Sequence, residues 1–224
     1  MVPIESMHRN GLLIACYPCQ RSWLLPSRML IMAFRDLLGA ATFVDEETSV
    51  LHGVFDKSKS TGHDLLVFNK LIEAPGHRIA VNLLTRPRLC AALSIEPGDF
   101  IDLLGWAMKN PGEPKVVTTG PVLENTQSEP DLYKLPIPHH WREDRGRYMS
   151  SSVIIAEYDG IRNMSFHRQL LRDKNHLVAR IVPRHLHSIT KSARAESKEV
   201  NVAIINAPDP VCLLYTSPSP RDDR

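Results

Sequence analysis

Two short runs hold the side chains of this sequence that could act together chemically. "IRNMSFHRQLL" strings Arg162, Asn163, Ser165, His167 and Arg168 along a strand-like stretch. Some residues later, "RIVPRHLHSI" places Arg184, His185 and His187 at a helix start announced by Pro183. The free backbone N–H groups and positive dipole end of a helix start attract phosphate. A neutral imidazole there, with an amide oxygen nearby, offers a hard divalent cation such as Mn²⁺ a seat beside that phosphate. The plain alternative is a polar strand face followed by a solvated helix N-terminus, and spacing alone does not separate the two. Asn163-Met164-Ser165 also spells a glycosylation sequon, which carries no weight without a secretion signal.

The surrounding elements must position these residues. "GRYMSSSVIIAEY", "LVARIVP" and "EVNVAIIN" read as β-like runs, as do "KVVTTGPVLE" and the "IRNMSFHRQLL" stretch itself. "PRHLHSITKSARAES" interrupts them as a helix with Leu186, Ile189 and Ala193 on one face. In an ideal strand Asn163 and Arg168 have opposite parity and would face opposite sides, so the run needs either a late strand start or a bulge. Upstream the texture differs. "MAFRDLLGAA" is spaced as a helix, "DLLVFNKLIE" and "HRIAVNLL" as strands around Ala74-Pro75-Gly76, and "RPRLCAALSI" and "PGDFIDLLGWAMKN" as helices. The Pro-rich "NPGEP" from Asn110 to Pro114 separates the halves. The expected fold is α/β in the α+β sense: a small α/β domain over 32–110, then a β-rich domain over 115–211. Phe68, Ile79, Val81, Leu89, Ile101, Leu104 and Trp106 occupy the apolar phases of the first domain and are its expected core.

Composition is that of an ordinary globular chain: 224 residues, 43% hydrophobic and 23% charged. The net charge of +2 resides in the first 31 residues, so the body carries no basic footprint for nucleic acid. No apolar run approaches the ~20 residues of a spanning helix, and "GLLIACY" lacks a cleavage site, so neither membrane span nor signal peptide is expected. A cytoplasmic protein is the expectation. Cys16 and Cys19 form a Cys-Tyr-Pro-Cys without the context of a redox or zinc site. Cys90, in a helical pattern, reads as a small buried hydrophobe.

The stretch "LPIPHHWREDRGRYMSSSVIIAEYDGIRNMSFHRQLLRDKNHLVARIVPRHLHSI" resembles the UbiD family of reversible decarboxylases. The likeness rests on the Leu-Pro-Ile entry, the Asp-x-Gly-Arg-Tyr strand, the Asn-x-Ser-x-x-Arg run and the Pro-Arg-His helix start. "DLLVFNKLIEAPGHRIAVNLLTRPRLCAALSI" resembles the N-terminal domain of the same family, so the likeness spans Met32 to about Pro210.

The resemblance implies a split-β-barrel-like cofactor-binding domain, prenylated FMN, and Mn²⁺ and K⁺ bridging its phosphate to the protein. It implies removal of CO₂ from aromatic or α,β-unsaturated carboxylic acids, with the flavin as electron sink. Carried over by position, Asn163 and His185 match metal ligands; Ser165, Phe166, His167 and Arg184 line the cofactor. Arg168 matches the catalytic arginine facing substrate and flavin, where a guanidinium can hold a carboxylate bidentately. The resemblance further implies a flavin prenyltransferase as cofactor supplier and a homo-oligomeric full-length protein. The short "RNMSFHR…VARIVPRHLHSI" is also similar to archaeal members acting on an unsaturated mevalonate-pathway phosphate acid. A flavin-phosphate or nucleotide-binding module without chemistry is the alternative of a different class.

Departures from the family pattern concern the ends and one turn. Relatives usually carry Gly where this chain has Asn206; Asn tolerates a left-handed backbone, so the turn is expected to survive there. "CLLYTSPSPRD" resembles a one-frame translation of a transposase sequencing adapter. Residues 212–224 are therefore expected to be adapter-derived and 1–31 a non-native or unstructured extension, with a mitochondrial-type presequence as the alternative for the latter. On that reading the family's third metal ligand and acidic catalytic residues are missing, and the chain is an N-terminal fragment, inactive as it stands.

Overall fold

The computed structural model describes residues 37–110, 118, 119, 121–124 and 126–208. The expectations for Cys16, Cys19, Phe34, the residues 111–117 and both chain ends fall outside them.

The N-terminal part is a three-stranded sheet with helices. β1 (Thr42–Val44) lies parallel to β2 (Leu66–Phe68), and β3 (Ile79–Val81) runs antiparallel on the other side of β2. The central strand is buried at every position, as its continuous apolar run requires. Its core gathers Val50, Val54, Leu66, Phe68, Leu71 and Ala74, with Val44, Ile79 and Val81 packed against it. α1 (Gly53–Ser60) contributes Val54 to this core and was not legible in the sequence, because six of its eight residues are Gly, Asp, Lys or Ser. α2 (Arg86–Leu93) and α3 (Phe100–Lys109) form where expected, α2 with Pro near its start.

Two expectations need correction here. Leu37 and Leu38 form only a short 3₁₀ turn and the chain then becomes β1, so the spacing around "MAFRDLLGAA" does not give a helix through Ala41. Thr42, Phe43 and Val44 are β-formers, and pairing with β2 outweighs a weak helical period. Of the expected core, Phe68 is buried and Ile79, Val81, Leu89 and Leu104 are half-buried, but Ile101 and Trp106 are exposed. α3 buries Ala107 alone, so its apolar residues lie on more than one face.

The second part opens with α4 (Pro121–Glu124), a helical turn where "GPVLE" had been expected as strand; Pro at its start suits the first helical turn. Two antiparallel three-stranded sheets follow: β4 (Tyr148–Met149), β7 (Gln169–Leu171) and β8 (Leu177–Ala179) in the order β4-β7-β8, and β5 (Ser152–Tyr158), β6 (Ile161–Phe166) and β9 (Val202–Asn206) in the order β6-β5-β9. Among the described residues these sheets form no closed barrel. Both feed one core with α5 (His185–Ala195), which includes Ile154, Ala156, Leu171, Leu177, Leu186, Ile189 and Ile204. β5 lies at the centre of its sheet because Val153-Ile154-Ile155 is β-branched and Val153, Ile154 and Ala156 are buried. The hairpin from β5 to β6 closes on Asp159-Gly160, both at positive φ (52° and 74°), the signature of a two-residue primed turn.

Two local expectations shift. Pro183 stands just before α5 rather than in its first turn; Arg184 is the N-cap, in extended backbone. The left-handed residue after β9 is Ala207 (φ 53°), while Asn206 ends the strand and accepts a hydrogen bond from Ser151 Oγ at 2.9 Å. Among the described residues no helix is long and apolar enough to cross a membrane.

Candidate functional site

β6 carries the polar row. Asn163 lies opposite Ala156 of β5 and is buried, only 5% exposed. Ser165, two residues on, shares its face, and the Ser165 hydroxyl lies 3.0 Å from Asn163 Oδ1. Ser165 Oγ also lies 2.9 Å from His167 Nε2, and His167 Nδ1 lies 3.4 Å from the carbonyl oxygen of Arg180, in the connection from β8 to α5. Three residues in alternation thus form one hydrogen-bonded row that ends on the segment leading into α5. Burial of Asn163 inside a strand also disposes of the sequon as a glycan site.

Proton counting sets the polarity of the row. Ser165 Oγ–H donates to Asn163 Oδ1, so with a neutral imidazole His167 Nε2–H donates to Ser165 Oγ and Nδ1, which faces Arg180 O at 3.4 Å, carries no proton. The Asn163 carbonyl oxygen accepts one hydrogen bond and keeps a second lone pair that can serve as a hard ligand.

The other predicted residues stand in two further places. Arg184 and His185 are exposed at the start of α5, and α5 packs against β5 and β6. The Leu186 and His187 N–H groups of that first turn lack helical partners, as at any helix start. No hydrogen bond joins Asn163 to His185 among the described residues. Phe166 ends β6 with 63% of its surface exposed. Arg168 belongs to neither group. Its guanidinium pairs with the carboxylate of Asp144 and sits over the Tyr148 ring, with Cζ 3.8 Å from the centroid.

The parity question resolves through topology. β6 ends at Phe166 and β7 begins at Gln169 in a different sheet, so His167 and Arg168 form the crossing between sheets rather than the middle of one strand. Gln169, fully buried, fixes the crossing: its Nε2 donates to Ser152 Oγ of β5 at 2.9 Å. Sequence reasoning missed Gln169, Asp144 and Tyr148 as partners. The last two stand in the quoted Asp-x-Gly-Arg-Tyr motif, which was the available signal.

A phosphate and a hard cation fit this arrangement in part. The Asn163 oxygen and His185 imidazole supply two donors of suitable type, and the start of α5 supplies N–H groups. Among the described residues no group of three or more His, Cys, Asp or Glu gathers as a metal cluster, so the rest of such a shell would come from phosphate and water.

Residues 115–223 match the family UbiD, described as the 3-octaprenyl-4-hydroxybenzoate carboxy-lyase Rift-related domain. The chain is 31% identical over 194 residues to an anhydromevalonate phosphate decarboxylase of Methanosarcina mazei, covering 83% of this chain and 45% of that protein. A protein of the same name from Methanothermobacter thermautotrophicus is 30% identical, covering 83% of this chain and 44% of the relative. The chain therefore spans about half the length of the curated relatives it matches. Among solved structures, an evolved dimeric form of the UbiD-class enzyme HmfF from Pelotomaculum thermopropionicum, in complex with prFMN, superposes with a TM-score of 0.72 at 26% identity, over 77% of this chain and 43% of that one. HmfF in complex with FMN gives 0.71 at the same 26% identity, over 76% of this chain and 41% of the other.

Proposed function

Because this chain belongs to the UbiD family, we propose that it supplies the cofactor-holding half of a carboxy-lyase that works through prenylated FMN with Mn²⁺ and K⁺. The row Asn163–Ser165–His167 supports this reading, since it presents a buried amide oxygen on a strand that packs against α5. Asn163 and His185 would hold the metal. Ser165, Phe166, His167 and Arg184 would line the cofactor, with the N–H groups of the α5 start toward its phosphate. When bound, the modified flavin supplies an electron sink for the carbon that loses CO₂.

Arg168 would bind the substrate's carboxylate through its fork of donors. The substrate class is an α,β-unsaturated or aromatic carboxylic acid. The names of the archaeal relatives favour an unsaturated acid that itself carries phosphate. The reading extends to a cytoplasmic, homo-oligomeric protein that receives its cofactor from a flavin prenyltransferase.

Titrating FMN into the chain, with and without Mn²⁺ and followed by flavin fluorescence, tests the assignment. Binding is expected to tighten with Mn²⁺, and Asn163→Ala or His185→Ala to abolish the tightening while leaving the fold intact by circular dichroism. Mn²⁺-independent binding that neither variant weakens would reject the metal and cofactor assignments. A chimera in which residues 37–208 replace the matching half of the Methanosarcina mazei relative is expected to release CO₂ from an unsaturated acid. FMN binding without release would leave a flavin-holding module.

A further inference from the structure

We infer that Asp144 and Tyr148 are positioning residues that fix the plane and direction of the Arg168 guanidinium; this rests on the reading of Arg168 as the substrate-carboxylate ligand. Arg168 sits in the short crossing from β6 to β7, where no ladder holds its side chain. Two separately anchored segments converge on it. Tyr148 belongs to β4, pairs with Leu170 of β7, and its N–H donates to Pro138 O at 3.0 Å. The ring therefore stands beside the crossing by register. A guanidinium lying 3.8 Å over its centroid has its plane set by stacking.

Asp144 is anchored from the opposite direction. Its N–H donates to Trp141 O at 3.1 Å, and its own carbonyl accepts from His139 Nε2 at 3.1 Å. His139 is tied to the N-terminal sheet region: its N–H donates to Val50 O at 2.9 Å and its carbonyl accepts from His52 N–H at 3.0 Å. The Asp144 side chain is only 18% exposed, whereas that of Arg168 is 50% exposed. A carboxylate held this firmly acts as a fixed post, and the pair to Arg168 Nη2 sets the rotation of the fork within the stacked plane.

The occupied donor leaves the rest of the fork open. Nη1 and Nε have no partner among the described residues, and half the side chain faces solvent. A second carboxylate can therefore dock on the free edge without displacing Asp144. When the substrate's carboxylate departs as CO₂, Asp144 still neutralises and holds the guanidinium, so the fork is in place for the next substrate. Neither a lysine nor an unpaired arginine would keep that geometry.

Side-chain NMR of the chain labelled with ¹⁵N-arginine reads this directly. In the wild type, the Arg168 Nη protons are expected as separate signals, because stacking and the ion pair slow rotation about the Cζ–N bonds. Asp144→Asn should collapse them into an averaged signal, Asp144→Glu should restore them, and Tyr148→Leu should broaden them, all with an unchanged thermal midpoint. Averaged Arg168 signals in the wild type, or signals unmoved by Asp144→Asn, would overturn the inference.

Benzoate as a plain carboxylate probe separates this from the reading beneath it. Its affinity is expected to vanish in Arg168→Ala and to fall about fivefold in Asp144→Asn, the size of a partly exposed ion pair, with recovery in Asp144→Glu. Loss in Arg168→Ala with no change in Asp144→Asn would sink the positioning role and leave the Arg168 assignment standing. Benzoate binding that ignores Arg168, or no benzoate binding at all, would sink that assignment, while the Arg168 signals still decide the positioning.

Discussion

Ser165 has one proton, it goes to Asn163 Oδ1, and that gives the row its direction. Removing the hydroxyl in Ser165→Ala should disconnect Asn163 from His167, letting the amide turn and the imidazole drift from Arg180 O. Mn²⁺-dependent FMN affinity is expected to fall about tenfold, equivalent to the ~1.4 kcal/mol of one well-placed hydrogen bond. The matched control is Arg162→Ala on the same strand, whose exposed pair with Glu157 contributes at most about 1 kcal/mol and touches nothing in the row. Equal loss in both variants, read by flavin fluorescence, would show that the row acts only through general stability. The types and spacing of these residues were legible in the sequence. Their partners were not, because Asp144 and the Arg180 carbonyl come from segments separated from them along the chain.

Elements explain how much could be read and where reading stopped. Asp159-Gly160 between two β-branched or polar runs announces its hairpin, and Gly160 at φ 74° is the residue the turn demands. Gly160→Ala meets no atom within 4 Å, so its cost is purely the backbone: about 1 kcal/mol, measurable by urea unfolding. A neutral outcome would mean the hairpin relaxes to another turn. Ile189→Ala, in the buried stripe of α5, should cost about 2–5 kcal/mol by the same measurement, since the cavity opens in the shared core. Both features were visible as period and punctuation. The sheet switch between Phe166 and Gln169 was not, because one unbroken β-like run serves two sheets and only the third dimension divides it. The helix expected through Ala41 failed for a related reason: β1 owes its existence to pairing with β2, a contact no local window contains.

At the scale of the whole molecule, the segment from Leu135 to Asp144 joins the two halves, and its chemistry makes the joint sensitive to acid. Arg147, half-buried, donates to the carbonyls of Ile137 and Leu135 at 2.7 Å each, and burial lowers its pKa, with Glu73 opposing. His140 packs edge-on to Phe55 of α1, ring centroids 4.7 Å apart, and burial pushes its pKa down from 6.5 while Asp144 opposes. Glu73 accepts hydrogen bonds from Ser49 Oγ and from Val50 N–H; burial raises its pKa, but those bonds and the Arg147 charge leave it below 4.5. Both shifts have one sign for stability. A depressed folded pKa means the unfolded chain binds more protons, so stability is full above the unfolded value and is lost as pH falls through the window below it. His140 sets a first loss starting below 6.5 and Glu73 a second starting below 4.5. Thermal midpoints measured from about pH 7.5 down to about pH 3.5 should therefore decline in two stages, each small because both groups are partly solvated. His140→Gln is expected to flatten the first stage and leave the second, and Glu73→Gln to reduce the second, which Glu196 and Asp173 share, and leave the first. A wild-type midpoint that rises as pH drops below 6.5, or a first stage unchanged by His140→Gln, would show that the joint does not hold His140 in its neutral form.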